Sequence, residues 1–221
     1  MDLKIHIFIY VLMVGAHAWA YSKQSLKFFG FQAWPKSYPL HFTLLFSGII
    51  LFGLLPILLQ GSKSAIEMLW AGGLVSPFWI AIVAFLTVVV CWIGWHQAHL
   101  VEISHDQAMQ GPGWKLLLIY FPCRAIFLVS YEMWFRGWLL QDLLAAYDLV
   151  IAIAINLSMY FLIHLFAGKK ESTASIPFGL LLYWLAIQTG AVWPAALIHL
   201  SFSLAYELGL IHLSSKINTT K

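Results

Sequence analysis

Long apolar runs alternate with short polar connections along the chain. A helix needs about 20 apolar residues to cross the hydrocarbon core of a bilayer. Seven runs are predicted to be membrane spans, at 5–21, 39–59, 78–95, 116–140, 149–166, 174–188 and 192–211. The pattern therefore predicts an all-α fold, a polytopic integral membrane helical bundle with about seven transmembrane helices.

Two segments leave alternatives open. The apolar segment 65–75 contains Glu67 and a pair of glycines and is short for a crossing. It is interpreted as an interfacial or re-entrant helix, with an eighth crossing as the alternative. The start of the chain is similar to a signal peptide, but Asp2 and His6 interrupt that pattern, which favours an uncleaved first span.

Composition supports a membrane protein and gives a first indication of its partners. Of the 221 residues, 62% are hydrophobic and 10% are charged, against about 45–50% and about 25% in soluble domains. A water-soluble globule is therefore excluded. A net charge of +3 in a polytopic protein gives no reason to expect a nucleic-acid partner, so the lipid bilayer is the first expected partner.

The lysines predict an orientation in the membrane. If seven spans alternate, two lysines, Lys4 and Lys63, lie on one side and eight lie on the other. The eight are Lys23, Lys27, Lys36, Lys115, Lys169, Lys170, Lys216 and Lys221. By the positive-inside rule, the C-terminus is then cytoplasmic. The compact chain and its short termini favour a prokaryotic plasma membrane.

Ionisable side chains inside the predicted spans are the candidate functional groups, because each costs about 2.5–3.5 kcal/mol at the bilayer centre. Glu132 and Arg136 lie four residues apart, so they can pair on one helix face. In the alternative, purely structural interpretation, this pair holds helices together and each histidine donates to a backbone carbonyl. The complete set is Arg124, Glu132 and Arg136 in the fourth span, His164 in the fifth, and the stripe His199, Ser203 and Glu207 in the seventh.

Three motifs follow one another in the second half of the chain. They read YEMWFRGW at 131–138, YFLIH at 160–164 and, after FGLL at 178–181, TGAVWPAALIH at 189–199. The order of these motifs and their residues resemble those of the CPBP family, the group of CAAX proteases and bacteriocin-processing enzymes also called Abi. The resemblance covers about 114–212 and implies a family core at 113–213, after N-terminal helices at 1–112 of unassigned role and before a cytoplasmic tail at 214–221.

The resemblance implies a role for each matching position. The family pattern is E-E-x-x-x-R, F-x-x-x-H and H-x-x-x-N; its first Glu and the His of its second motif activate a water, and its third motif stabilises the oxyanion. Here Tyr131 replaces the first Glu, Tyr160 replaces the Phe and Ser203 replaces the Asn. The remaining matches are Glu132 for the second Glu, Arg136 for the Arg, and His164 and His199 for the two histidines.

Of the three replacements, tyrosine at position 131 should affect catalysis most. A phenol with a pKa near about 10 is a poor base at neutral pH. Glu132 can take its place only if the helix turns by about 100°, and Glu207, a second candidate carboxylate, lies about 12 Å along its helix from His199. A serine in place of Asn keeps one donor, and the loss of a single oxyanion donor can cost about 10²–10³ in rate.

Two functional hypotheses follow. In the first, an intramembrane endopeptidase cleaves a membrane-anchored protein or peptide near its terminus, without a cofactor. Its carboxylate, Glu132 or else Glu207, and His164 polarise the water. Arg136 then fixes the carboxylate, and His199 and Ser203 bind the oxyanion. In the second, a catalytically inactive homologue uses the same cavity as a membrane scaffold, chaperone or immunity protein.

Two further patterns of polar residues give weaker evidence for a function. Five polar residues at the end of the third span could hold a divalent metal, although spacings of three rotate about 60° per step around a helix; they are His96, His99, Glu102, His105 and Asp106. The isolated histidines His6, His17 and His41 lie near span ends, where interfacial or satisfied histidines are usual. A transporter is only weakly supported, since no inverted repeat is visible.

Overall fold

The computed structural model describes residues 1–22, 34–70, 75–101 and 114–219, and every regular element within these ranges is helical. The helices are α1 (Leu3–Ser22), α2 (Trp34–Gly48), α3 (Leu55–Gln60), α4 (Ser62–Trp70), α5 (Pro77–His99), α6 (Trp114–Glu132), α7 (Leu139–Ala146), α8 (Leu149–His164), α9 (Lys169–Thr189) and α10 (Trp193–Thr219). Two π-helical segments, Ile49–Leu54 and Met133–Trp138, join α2 to α3 and α6 to α7. The predicted all-α fold is confirmed.

Among the described residues, five helical runs are long and apolar enough to cross a membrane. They are Leu3–Ala20, Leu40–Gln60, Pro77–His99, Trp114–Ala146 and Trp193–Lys216. The other two predicted spans are also helices, but α8 has 16 residues and is shorter than these five. The 21-residue α9 begins with two lysines and a glutamate and continues with hydroxyl side chains, which lower its mean hydropathy. The fold is that of a polytopic helical membrane protein.

Helix α4 is the short helix expected at 65–75. It has nine residues, too few to cross a bilayer, and it begins earlier than predicted, at Ser62. Gly72 and Gly73 lie outside the described residues. The Met68 carbonyl of α4 accepts the Val192 N–H at 3.2 Å, which ties this helix to the chain just before α10.

The two ends of α10 are set by different features. Gly190 has a φ of 65°, the left-handed conformation that favours glycine where a helix ends, and it turns the chain from α9 towards α10. At the other end, α10 continues to Thr219, so most of the predicted tail at 214–221 extends the last helix. Along its length α10 packs on α5, where a Cβ at Gly94 would lie 2.6 Å from the Phe202 carbonyl oxygen.

The second π-helical segment, Met133–Trp138, lies at the centre of the main hydrophobic core. Its wider turn is visible where the Leu139 N–H donates to the Trp134 carbonyl, five residues earlier. Asn156 of α8 donates from Nδ2 to the Phe135 carbonyl at 2.7 Å and accepts the Tyr183 hydroxyl of α9 at 2.7 Å. Asn156 therefore links two neighbouring helices to the segment that carries Arg136.

Candidate functional site

A buried carboxylate, that of Glu132, joins two of the motifs. Its Oε2 lies 3.1 Å from Arg136 Nη1, and its Oε1 accepts a hydrogen bond from His199 Nδ1 at 2.5 Å. The Glu132 side chain is fully buried. The pairing of Glu132 with Arg136 follows from their four-residue spacing. His199, in contrast, is 67 residues from Glu132 in the sequence and lies on another helix.

Aromatic rings surround the Arg136 guanidinium. Its carbon lies 4.2 Å from the Tyr160 ring centroid and 4.6 Å from that of Tyr183. A cation is attracted to the face of an aromatic ring, and this attraction offsets part of the cost of removing the charge from water. The rings of α8 and α9 thereby fix Arg136, and Arg136 in turn fixes the Glu132 carboxylate.

His164 and His199 are held in different ways. The Nδ1–H of His164 donates to the Tyr160 carbonyl at 2.7 Å, as the structural interpretation predicted for each histidine. A carbonyl can only accept, so Nδ1 carries the proton and Nε2 carries the lone pair of the neutral ring. His199 instead donates from Nδ1 to a carboxylate, which also leaves its lone pair on Nε2.

Both histidines line a cavity of about 30 Å³, which is large enough for water. The described residues that line it are His17, Arg124, Phe127, Leu128, Tyr131, Ile163, His164 and His199. None of these eight is an acid. Glu132 lies behind His199 rather than on the cavity wall, so His199 and not Glu132 is the member of this pair that faces the cavity.

Tyr131 is on the cavity wall and almost fully buried. Its ring centroid lies 6.0 Å from the His199 ring and 5.8 Å from the Tyr160 ring. Tyr131, which the motif resemblance aligns with the first Glu of the family pattern, thus faces the same cavity as His164 and His199.

A second polar group involves Arg124, Ser203 and Glu207. Arg124 donates from Nε to Glu207 Oε1 at 3.2 Å and from Nη2 to Ser203 Oγ at 3.1 Å. Glu207, the second candidate carboxylate, is therefore the counter-ion of Arg124. Ser203, the expected oxyanion donor, accepts from Arg124 and is not among the described residues that line the cavity.

Six of the eight described wall residues lie outside the predicted site residues, and two of these six, Arg124 and His17, carry basic side chains. Arg124 was recognised as an intramembrane charge, but the family motifs give it no role. His17 was interpreted as an isolated histidine near a span end. Its Nδ1 does donate to the Met13 carbonyl, at 2.8 Å, yet the ring also lines the cavity. No spacing in the sequence signals that α1 reaches α8 and α10.

The other interpretations of histidines have separate outcomes. His6 Nε2 lies 2.7 Å from Asp142 Oδ2, so one of its ring nitrogens has a partner, whereas its buried Nδ1 has no hydrogen bond to the described residues. Of the candidate metal cluster, His96 and His99 are described, whereas Glu102, His105 and Asp106 lie outside the described residues. Within the described ranges, no group of three His, Cys, Asp or Glu side chains could hold a metal ion.

The fold and the site together define a polytopic helical membrane protein with an acid, an arginine and histidines converging between its helices. Residues 128–205 match the family model described as Rce1-like, Type II CAAX prenyl endopeptidase Rce1-like. This match confirms the resemblance to the CPBP family and supports a protease at the level of the family. All five predicted site residues lie within the matched segment, whereas His17 and Arg124 precede it. No curated protein and no solved structure matches the chain.

Proposed function

We propose that the protein is an intramembrane endopeptidase that cleaves a membrane-anchored protein or peptide near its terminus. The hydrogen bond between Glu132 and His199, beside the cavity that His199 and His164 line, carries this proposal. A buried carboxylate that accepts from Nδ1 of a histidine orients the ring and stabilises its protonated form. His199 is then the base, and Glu132 is a positioning residue that acts through it.

The cleavage follows from this arrangement. Water in the cavity attacks the scissile carbonyl carbon and gives its proton to His199 Nε2, while the carbonyl π electrons move to the oxygen. When the C=O bond re-forms, the C–N bond breaks and the proton passes to the leaving nitrogen. His164 orients the water through Nε2.

This mechanism differs from the first hypothesis in the roles of His199 and Glu132. That hypothesis had His199 bind the oxyanion with Ser203, whereas here His199 is the base. That hypothesis let the Glu132 carboxylate polarise the water directly with His164. In the structure, both Glu132 oxygens lie within bonding distance of protein side chains. His199 lines the cavity, whereas Glu132 is not among the described residues of its wall. Arg136 keeps its expected role, which is to fix the carboxylate.

The test is cleavage by the purified protein in proteoliposomes. The probes are peptides with a lipid anchor near one end, including a prenylated CAAX peptide, and mass spectrometry identifies the products. We expect cleavage by the wild type and none by His164→Ala or His199→Ala. His99→Ala is the matched control, because His99 also donates from Nδ1 to the carbonyl four residues earlier, at 2.8 Å, but does not line the cavity. Full activity of both cavity variants contradicts the proposal.

A specific observation favours a second candidate, a catalytically inactive homologue that binds a membrane segment. The cavity wall carries Tyr131 in the position of the family's first Glu, and none of its described residues is an acid. In this case the wild type cleaves no probe, whereas Tyr131→Glu creates cleavage by restoring the missing base. Cleavage by the wild type excludes this candidate.

We also propose that the C-terminus is cytoplasmic and that the membrane is a prokaryotic plasma membrane. Eight of the ten lysines fall on one side if seven spans alternate, which supports this orientation. A phosphatase fused to the C-terminus, active only outside the cytoplasm, tests it. An active fusion contradicts the orientation.

A further inference from the structure

Arg124 is a buried, permanently charged residue that the family motifs leave without a role. It lies before the matched segment 128–205 and lines the same cavity as His164 and His199. We propose that Arg124 is a catalytic residue whose guanidinium binds the oxyanion formed during hydrolysis. This inference rests on the proposed endopeptidase activity and names the group that stabilises its transition state.

The first support is the fixed position of the guanidinium. Nε donates to Glu207 and Nη2 donates to Ser203, both on α10, so two bonds hold the planar group from one side. The Phe127 ring lies 5.6 Å from the guanidinium carbon. Donors that are already oriented before the reaction stabilise developing charge most effectively, because they need no reorganisation.

The second support is the position of Ser203 relative to Arg124. The family pattern assigns Ser203 to the oxyanion, but Ser203 Oγ accepts from Arg124 and is not among the described residues that line the cavity. Arg124 is among them. The residue that faces the reacting oxygen is therefore the arginine, and Ser203 is a positioning residue for it.

The third support is the distribution of charge. Among the eight described residues of the cavity wall, Arg124 is the only one that is charged at every working pH. Glu207 balances this charge in the resting protein at 3.2 Å from Nε. The oxyanion adds a negative charge only in the transition state, in a water-poor site where a nearby guanidinium interacts strongly with it.

The chemical step involves no proton transfer from Arg124. As the water oxygen bonds to the carbonyl carbon, the π electron pair of the C=O bond moves onto the carbonyl oxygen. A guanidinium N–H donates a hydrogen bond to that oxygen and keeps its proton. The same electron pair re-forms the C=O bond when the C–N bond breaks, and the hydrogen bond weakens again.

The alternative is that the Arg124–Glu207 pair only joins α6 to α10. The two roles predict different patterns among variants. If the ion pair only joins the helices, removing Arg124 or Glu207 should cause similar losses. If Arg124 binds the oxyanion, removing Arg124 should lower activity much more than removing Glu207. Arg124→Met removes the charge and keeps most of the side-chain volume, Arg124→Lys keeps the charge without the planar fork, and Glu207→Gln keeps the shape of the partner.

The experiment measures kcat and KM on the lipid-anchored peptide that the wild type cleaves best. For Arg124→Met we expect kcat to fall about 10²–10³-fold with KM changed by less than about threefold. For Ser203→Ala and Glu207→Gln we expect losses of about tenfold or less, and for Arg124→Lys an intermediate value. Free guanidinium ion at millimolar concentration should restore part of the kcat of Arg124→Ala but none of that of His199→Ala.

The outcomes separate this inference from the proposed function. If the wild type cleaves no probe, the proposed function is wrong, and the role of Arg124 is wrong with it. If the wild type cleaves and Arg124→Met keeps more than half of its kcat, only the role of Arg124 is wrong. Equal losses in Arg124→Met and Glu207→Gln without guanidinium rescue also overturn it. If Arg124→Met does not fold by size-exclusion chromatography, an unchanged kcat in folded Arg124→Lys overturns it.

Discussion

Two buried acid–arginine pairs lie in the same protein but are built differently. Glu132 and Arg136 pair within one helical run, four residues apart, and both side chains are 0% exposed. Arg124 and Glu207 pair between α6 and α10, and their side chains are 3% and 14% exposed. The first pair is sealed behind His199, whereas the second reaches the cavity wall through Arg124. One pair is thus suited to position a base and the other to contact a reacting oxygen.

The two arginines also differ in the groups that surround them. Tyr160 and Tyr183 place their rings within 5 Å of the Arg136 guanidinium carbon, so this charge is stabilised by π faces and by Glu132. Arg124 is instead hydrogen-bonded to a carboxylate and a hydroxyl. A buried charge that loses its partner is costly. Each pair can therefore be tested by removing one member at a time.

The largest expected effect is the loss of kcat in Glu132→Gln. An amide can present its N–H to His199 Nδ1 and hold the ring in the wrong tautomer; the comparable change in a serine protease lowers kcat about 10⁴-fold. Glu207→Gln, the same change in the other pair, should lower kcat by about tenfold or less, because Glu207 only positions Arg124. Initial rates of peptide cleavage in proteoliposomes measure both. Similar losses in the two variants would remove the distinction between the pairs.

The next effect is on stability. Arg136→Met leaves the Glu132 carboxylate buried without its cation, which should lower the free energy of unfolding by about 3–5 kcal/mol. Arg124→Met should cost less, because Glu207 keeps a hydrogen bond with Tyr120. Unfolding in mixed micelles with increasing denaturing detergent measures both values. The double variant Glu132→Gln/Arg136→Met is the control and should recover part of the loss; a larger loss there would contradict the pairing.

Asn156→Ala tests the support of the first pair. Asn156 bonds to the Phe135 carbonyl in the π-helical segment and to the Tyr183 hydroxyl, so its removal leaves two buried polar groups without this partner. Each such group costs about 1–3 kcal/mol, and Arg136 should be positioned less well. We expect lower stability and lower kcat with little change in KM. The control is Ser158→Ala on the same helix, where an exposed hydroxyl donates to the Ala154 carbonyl one turn earlier; equal losses would argue against a specific role of Asn156.

The sequence predicts what depends on local spacing. Hydropathy placed helices at all seven predicted spans, and the four-residue interval predicted that Glu132 and Arg136 would pair. It also allowed His164 to donate to a backbone carbonyl, which it does. These contacts lie within one helix, where the geometry of a turn fixes which residues meet.

The contacts that define the cavity could not be predicted, because they join distant helices. Arg124 and Glu207 are 83 residues apart, and His17 comes from a helix outside the family motifs. Spacing did indicate that Glu132 points about 100° away from Tyr131 around the helix, but it gave no sign that His199 would lie between Glu132 and the cavity. Which face of a helix meets the cavity is decided by packing between helices, here including the π-helical segment that begins directly after Glu132.

The smallest expected effect is that of Tyr183→Phe, which separates the two contributions of this residue to the first pair. The substitution removes the hydroxyl that donates to Asn156 Oδ1 at 2.7 Å but keeps the ring 4.6 Å from the Arg136 guanidinium carbon. We expect a loss of about 1 kcal/mol in the free energy of unfolding and an unchanged kcat, since the ring still fixes Arg136. Tyr147→Phe, at an exposed tyrosine, is the control and should change neither quantity. A fall in kcat beyond about threefold in Tyr183→Phe would mean that the hydroxyl, rather than the ring, positions Arg136 and the carboxylate that orients His199.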